Sequence, residues 1–482
     1  MNAPSRPETP RHLDLLRALP PLAWLLRQRW FPLAIALPLL MLTITFVTAG
    51  LLGTPVGNRN GLVILVWILW WFVLMAVLVP FAARSWCGVC PIPLPGDWLQ
   101  RRRVLGVAYA DAKTSERTGL IGRNRYRGLS RRWPQKLSNL WLQNAGFLLL
   151  ATFSVVLLTS PLAGALAVGG MVVVATVTAL VYRQRAFCRF LCPVGGFLSL
   201  YAMSSTMAVR PRSSAVCQSC PEKNCVAGSA GGWGCPWLIH PGRLERNNAC
   251  GLCLECFKTC AQGNMTVLFR PPFAERRLAG WDEAFKAYLM LALAVAYSAV
   301  YQGPWGWLKA AANVTEVAKW PVFSLYAAGL WAFALLIVPG LYVGAGWLGR
   351  KLAKPTANVS LRAVALAGAS SLVPLGLLAW IAFSVPLVLA NGSYVLMVAS
   401  DPFGWGWDLF GSATVAWHPI VPHWGSWIQA GLVLIGQAAG LKAGWLETRA
   451  VYGTDRQAIA GYAPTALLVT MFTLVLLALH AG

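Results

Sequence analysis

The chain has 482 residues, of which 57% are apolar and 12% are charged, whereas roughly 25% of the residues of an average soluble domain are charged. This composition excludes an ordinary soluble globular protein and predicts an integral membrane protein. The net charge of +24 could indicate nucleic-acid binding, but no basic-aromatic RNA-binding motif accompanies it. We therefore expect no nucleic-acid partner, and the charge must be explained by topology.

Residues 1–31 form a basic segment without the apolar core of a cleaved signal peptide. Within it, the stretch 12–30 is predicted to be either an interfacial helix or a disordered tail. Apolar segments of about 20 residues, enough to cross a bilayer, then recur along the chain. They predict nine transmembrane helices, near 32–54, 61–83, 140–160, 163–182, 285–303, 320–346, 362–390, 425–441 and 462–480.

The distribution of basic residues predicts the orientation of these nine helices. With the amino terminus inside, all but three of the 40 Lys and Arg residues lie on the inner side, and the exceptions are Arg59, Lys309 and Lys319. This asymmetry follows the positive-inside rule. We expect a bacterial inner-membrane protein with a cytoplasmic amino terminus and a periplasmic carboxyl terminus, whose excess basic residues could also hold anionic lipid.

Eight of the 12 cysteines lie between Cys217 and Cys260, on the side predicted to be cytoplasmic and reducing, where disulfides are rare. The second run, Cys250, Cys253, Cys256 and Cys260, has the spacing of a bacterial ferredoxin. Zinc is the alternative, but zinc sites use paired cysteines separated by a loop. We predict two 4Fe-4S clusters with crossed ligation, in which the last cysteine of each run serves the other cluster. The predicted ligands are Cys217, Cys220, Cys225 and Cys260 for one cluster, and Cys250, Cys253, Cys256 and Cys235 for the other.

The remaining cysteines form two Cys-Pro motifs, each at the end of a predicted helical hairpin. Cys87 and Cys90 follow the second predicted span, and Cys188 and Cys192 follow the fourth. The order of span, turn, span, aromatic residue, cysteines and proline repeats after about 100 residues, which indicates a weak internal duplication. Three interpretations stay open for these candidate redox thiols: a third metal centre, a redox-active dithiol, or four buried reduced cysteines.

Two hairpins ending in Cys-Pro motifs, followed by a two-cluster insert, resemble the membrane-bound polyferredoxins related to NapH and NosR. The resemblance covers about residues 32–284. It implies electron transfer between the quinone pool and periplasmic reductases, or support of their maturation. The first motif, C-x-x-C-P, is one residue shorter than the family pattern, and the first ferredoxin run is stretched.

The carboxyl half carries separate candidate residues on the side predicted to be periplasmic. The loop 391–424 is rich in aromatic residues and contains His418 and His423, and His480 ends the last predicted span. Neutral imidazoles bind haem, bind copper or hydrogen-bond a quinol. Tryptophans of an interfacial belt would explain the loop equally well, so a b-type haem, copper, a quinol site and a structural role all stay open.

The sequence therefore predicts an all-α integral membrane protein of about nine helices with a small cytoplasmic ferredoxin-like α+β insert. Its predicted regions are the basic segment 1–31, the hairpins 32–193, the insert 194–284 and a five-helix region 285–482. The predicted function is single-electron transfer between quinone, or a periplasmic redox protein, and the clusters. The alternatives are a membrane reductase that matures a metalloenzyme, for example by copper reduction, and an iron-sulfur redox sensor.

Overall fold

The computed structural model describes residues 12–101, 128–229, 231–317, 319–355, 358–420 and 424–481. Most of these residues are helical, and seven helices are long and apolar enough to cross a membrane. The protein is therefore a multi-pass membrane protein by the length and composition of its helices. The seven are Phe31–Leu52, Leu62–Ala82, Pro161–Val181, Trp281–Tyr301, Trp320–Ala353, Leu361–Ser400 and Asp455–His480.

Two of the nine predicted spans are not among these seven. The predicted span 140–160 is divided at Phe153 into the helices Trp141–Thr152 and Ser154–Thr159, so neither piece is long enough to cross a bilayer alone. The predicted span 425–441 belongs to the helix Gly425–Tyr452, which has 28 residues. This helix is long enough, but glutamines and glycines make it less apolar than the others.

The amino-terminal half contains the two hairpins expected from the sequence. The first consists of Phe31–Leu52 and Leu62–Ala82, and the second of the divided helix 141–159 followed by Pro161–Val181. The hairpins contact each other through small residues, as membrane helices commonly do. A Cβ atom at Gly50 would lie 2.8 Å from the Ala165 Cβ atom, so the two backbones can approach only because Gly50 has no side chain.

Each hairpin ends in a short helix, a cysteine-containing turn and a second short helix. The helices after the first hairpin are Ser85–Val89 and Leu94–Arg101, and those after the second are Phe187–Leu191 and Pro193–Tyr201. The segment Phe187–Leu191 is π-helical, and the Cys192 amide donates a hydrogen bond of 2.8 Å to the Phe187 carbonyl. The extra residue of the second Cys-Pro motif is thus accommodated by a wider helical turn.

The insert, residues 194–284, contributes β2 Met207–Pro211 and β3 Met265–Phe269 to a three-stranded antiparallel sheet. The third strand, β1 Leu13–Asp14, comes from the amino-terminal segment, and the strand order is β1-β3-β2. Strands β2 and β3 pair from Met207 opposite Phe269 to Pro211 opposite Met265, so they close the two ends of the cysteine-rich segment. Between the strands lie three short helices. They are Ser214–Ser219, Asn224–Ala227 and Glu255–Thr259.

The segment 12–30 is folded against the insert, so its prediction as a disordered tail is wrong. Strand β1 pairs with β3, and two short helices, Leu15–Ala18 and Pro20–Arg27, follow it. Leu16 and Leu26 are buried in the same apolar cluster as Val209 and Val267, and Cys256 and Cys260 pack against that cluster. The leucines that suggested an interfacial helix therefore cover the cysteine-rich segment.

The carboxyl half is a bundle around the helix Trp281–Tyr301. Most of this helix is buried, and it packs against Leu361–Ser400, where the Trp380 indole donates a hydrogen bond of 3.0 Å to the Met290 carbonyl. It also joins the second hairpin, because the Tyr297 hydroxyl donates to the Ala151 carbonyl at 3.1 Å. The remaining helices of the bundle are Gly306–Ala311, Val314–Val317, Trp320–Ala353, Gly425–Tyr452 and Asp455–His480.

Candidate metal centres

The first cavity of the insert is lined by four of the cysteines predicted to bind one cluster: Cys217, Cys220, Cys225 and Cys260. We call these four the first insert quartet. The Asn264 amide donates a hydrogen bond of 3.3 Å to the Cys217 sulfur atom and another of 2.7 Å to the Ser213 carbonyl. His240 lines the same cavity, and burial lowers the pKa of its imidazole.

The second cavity of the insert is lined by the other four cysteines of the ferredoxin pattern: Cys235, Cys250, Cys253 and Cys256. We call these four the second insert quartet. Trp237, which is 2% exposed, also lines this cavity. Pro241 and Met265 line both cavities, so the two cavities are neighbours with a common wall. The sequence prediction grouped the cysteines in the same two sets, while cluster ligation itself stays a prediction.

The hairpin ends bring the other four cysteines together. Cys87 and Cys188 are buried, Cys90 and Cys192 are half-buried, and all four lie within electrostatic range of one another. We call them the hairpin quartet. Its members come from two segments about 100 residues apart, so the packing of the two hairpins is what assembles it.

The local structure at Cys192 suits a thiolate. Cys192 is the N-cap of the helix Pro193–Tyr201, and its sulfur atom accepts a hydrogen bond of 3.2 Å from the Gly195 amide. A helix amino terminus carries partial positive charge, which favours an anion. A Cβ atom at Gly195 would lie 2.9 Å from the Cys188 carbonyl oxygen, so glycine is what permits this tight turn.

Burial opposes ionisation of Cys90, Cys188 and Cys192. It raises the pKa of Cys90 and Cys188 well above the usual value, and it raises the pKa of Cys192 to about 11. Metal centres bind thiolates, so loading of this quartet would release protons. The quartet therefore needs positive charge nearby if it is to hold four thiolates.

Three buried cations supply positive charge around the hairpin quartet. Arg185 forms an ion pair of 2.8 Å with Asp97 and donates a hydrogen bond of 2.8 Å to the Cys87 carbonyl. Arg84 interacts with Cys192 of the hairpin quartet and with Cys250 of the second insert quartet. Lys286 is fully buried and interacts with Cys192. An anionic centre fits these surroundings better than four neutral thiols do, because uncompensated buried charge is costly.

The turn that carries Cys87 and Cys90 packs against the segment that carries Cys253 of the second insert quartet. Gly88, between Cys87 and Cys90, lies so close to the insert that a Cβ atom on it would be 2.5 Å from the Leu252 carbonyl oxygen and 3.5 Å from the Cys253 Cα atom. Arg185 interacts with both Cys188 and Cys253. The three quartets therefore form a continuous series from the hairpin ends to the first cavity.

We predict that the Gly88→Ala substitution disturbs this junction. The added methyl group overlaps the Leu252 carbonyl, and overpacking of this kind costs about 1–3 kcal/mol. Thermal loss of visible iron-sulfur absorbance should therefore occur at a lower temperature. Gly170→Ala is the matched control, since its Cβ position has no described atom within 4 Å apart from its chain neighbours and the nearby backbone of its own helix. Equal melting of the two variants would contradict the close junction.

The described residues contain no group of three or more His, Cys, Asp and Glu side chains placed to hold one metal ion. A single zinc ion draws four ligands to one centre, whereas each thiolate of a four-iron cubane binds a different iron atom and lies farther from the others. The absence of such a group in the described residues therefore concerns only sites for a single metal ion. It gives no support to a zinc site.

Comparison with protein families gives two matches, both at the hairpins. The second helix of each hairpin, together with the Cys-Pro motif that follows it, matches the model of a 4Fe-4S binding domain. The matched segments are residues 63–107, which contain Cys87 and Cys90, and residues 163–206, which contain Cys188 and Cys192. The matches support a polyferredoxin-like iron-sulfur protein, and they fall on the hairpin quartet rather than on Cys217 to Cys260. No curated protein and no solved structure matched the chain.

The structure gives no common site for the histidines of the carboxyl half. His418 is exposed, with its Nδ1 atom 3.1 Å from the Ala416 carbonyl, whereas His480 is 5% exposed, with its Nε2 atom 3.1 Å from the Ser298 hydroxyl. His423 lies outside the described residues. A haem, copper or quinol site at these histidines stays a prediction without structural support.

The sequence interpretation missed the cations beside the cysteines, although a signal for two of them exists. Arg84 and Arg185 each stand three residues before the first cysteine of a Cys-Pro motif, in the repeated pattern Arg-x-aromatic-Cys. Lys286 has no comparable signal, because its relation to Cys192 arises only from helix packing.

Proposed function

We propose that this protein is a membrane-bound electron-transfer protein that passes single electrons between a membrane or periplasmic redox partner and 4Fe-4S clusters in its cytoplasmic insert. The partner would be quinone, or a second redox protein or metalloenzyme. The observation that carries this proposal is the continuous series of three cysteine quartets, which begins at the ends of two apolar hairpins. Iron-sulfur clusters would supply reversible one-electron chemistry at these quartets.

The residues between the quartets would compensate the negative charge of the thiolate ligands and exclude water from the space between the clusters. Arg185 lies between the hairpin quartet and Cys253, held there by Asp97 and the Cys87 carbonyl. Trp237 lines the second cavity, and the guanidinium carbons of Arg84 and Arg185 lie 6.0 Å and 5.7 Å from the centre of its ring. A dry interior strengthens electrostatic interactions, so these cations would stabilise thiolate ligands more than surface cations could.

The proposed topology has nine crossings with the quartets on the cytoplasmic side. Under this topology the divided helix 141–159 and the helix Gly425–Tyr452 also cross the membrane. Two observations support the second assignment: this helix packs against both Leu361–Ser400 and Asp455–His480, and only residues 453 and 454 separate it from the latter helix. The positive-inside distribution supports the orientation, and anionic lipid is a proposed partner of the inner surface.

The proposal predicts the iron content of the intact protein. Three 4Fe-4S clusters correspond to about twelve iron and twelve labile sulfide per chain. We expect this ratio in protein purified without oxygen, together with 4Fe-4S signals in electron paramagnetic resonance after reduction by a quinol. Zinc in place of iron would overturn the proposed function. A content of about eight iron atoms per chain would support the two clusters of the insert and would mean that the hairpin quartet holds no cluster.

A further inference from the structure

Lys286 is a buried cation for which the structure shows no hydrogen-bond partner among the described residues. It lies on Trp281–Tyr301, the central helix of the carboxyl half, and it is 0% exposed. Its Nζ atom is 4.7 Å from the centre of the Phe147 ring. A cation-π contact of this kind offsets only part of the cost of burying an ammonium group.

The position of Lys286 indicates what compensates its charge. Its helix packs against the helix Pro193–Tyr201, whose N-cap is Cys192 of the hairpin quartet. The Phe147 ring that Lys286 contacts follows Gly146, where a Cβ atom would lie 3.7 Å from the Pro193 Cβ atom. Lys286 is thus within electrostatic range of Cys192. Arg84 and Arg185 approach the quartet from the direction of the insert, because they also interact with Cys250 and Cys253. Lys286 instead comes from a membrane-spanning helix. It is therefore the cation that the carboxyl-half bundle contributes to the hairpin quartet.

We propose that Lys286, in its ammonium form, raises the reduction potential of the centre held by Cys87, Cys90, Cys188 and Cys192. This inference rests on the proposed function. One-electron reduction by a quinol or by a partner redox protein adds one negative charge to the centre, and no bond forms or breaks at the lysine. A nearby positive charge stabilises the reduced form, most strongly where the surroundings are apolar. Lys286 would then favour electron entry from the membrane side.

The proposal gives a role to the bundle that follows the insert. Lys286 is one turn beyond Asp282, whose carboxylate accepts a hydrogen bond of 3.0 Å from the Leu140 amide at the start of the second hairpin. The Asn144 side chain donates to the Asp282 backbone carbonyl at 3.1 Å. These contacts fix the helix against the hairpin, and they would hold the lysine at a constant distance from the quartet.

The test is a redox titration of the full-length protein, followed by electron paramagnetic resonance. Lys286→Met removes the charge at similar volume, and it should weaken electron binding at the hairpin centre at least tenfold, equivalent to a potential 59 mV more negative for one electron. Lys286→Arg keeps the charge and should keep most of the potential. Lys351→Met is the matched control, since Lys351 also contacts a ring, that of Trp347 at 3.9 Å, but is exposed.

The outcomes of this titration distinguish the proposed role of Lys286 from the proposed function of the protein. An unchanged potential in Lys286→Met, with the hairpin centre present, would overturn the role of Lys286 and leave the proposed function intact. Absence of the hairpin centre from the wild-type protein would instead remove the third centre on which this inference rests. If Lys286→Met does not accumulate, Lys286→Gln provides a second neutral variant that retains hydrogen-bonding capacity.

Discussion

Replacing Cys188 with alanine is expected to remove the hairpin centre and to stop quinol-dependent reduction of the insert clusters. Cys188 belongs to a quartet in which each cysteine would bind a different iron atom, so its loss leaves an incomplete ligand set. Iron content should fall from about twelve to about eight per chain. The backbone contact at this position can persist, because Gln143 donates to the Cys188 carbonyl, at 3.3 Å, rather than to its side chain.

The measurement compares two reductants in the same preparation. Dithionite should still reduce the insert clusters of the Cys188→Ala variant, whereas a quinol should not. Ser199→Ala is the matched control, since this small buried side chain lies on the helix after Cys192 and donates only to the Gly196 carbonyl of its own helix, at 2.8 Å. Unchanged iron content in Cys188→Ala would show that the hairpin cysteines are ordinary buried thiols.

Replacing Asp97 with asparagine is expected to cause the largest loss of stability. The Asp97 and Arg185 side chains are 3% and 7% exposed, and removal of one partner of a buried ion pair costs about 3–5 kcal/mol because the other charge remains buried. Arg185 also donates to the Cys87 carbonyl, so the substitution loosens the hairpin quartet. Thermal unfolding in detergent, followed through iron-sulfur absorbance, would measure the effect.

The chain contains a suitable control for this ion pair. Arg449 and Asp455 also form an arginine-aspartate pair, but their side chains are 54% and 59% exposed. Exposed pairs contribute about 0–1 kcal/mol, so Asp455→Asn should leave the unfolding temperature almost unchanged. Similar shifts for Asp97→Asn and Asp455→Asn would mean that Arg185 finds another partner or reaches water.

The cysteine groups show how much of the site the spacing of residues along the chain can predict. The ferredoxin-type spacing groups Cys217 with Cys260, and Cys235 with Cys250, and the structure places these groups in two cavities. Spacing is informative here because the segment is short and the ligands predicted for each cluster would have to surround one compact group of atoms. The two Cys-Pro motifs could be recognised as a repeat, but their meeting depends on hairpin packing.

The segment 12–30 shows where a local pattern misleads. Its leucines among arginines fit a helix at a membrane surface, but Leu16 and Leu26 are buried in the insert beside Val209 and Val267. An amphipathic pattern indicates that one face of a helix will be buried. It does not indicate which part of the protein, or whether a membrane, will cover that face. The pairing of β1 with β3 joins residues about 250 positions apart, which no local signal could identify.

The sequence by itself determined the membrane character and the two repeated hairpins, and it grouped the cysteines of the insert by their spacing, because hydrophobicity and spacing are properties of short segments. Only the tertiary structure decided that Cys87 lies within electrostatic range of Cys188, that Gly88 lies against Leu252, and that Lys286 approaches Cys192. These contacts join distant segments, and their energies depend on burial and distance rather than on the order of residues along the chain.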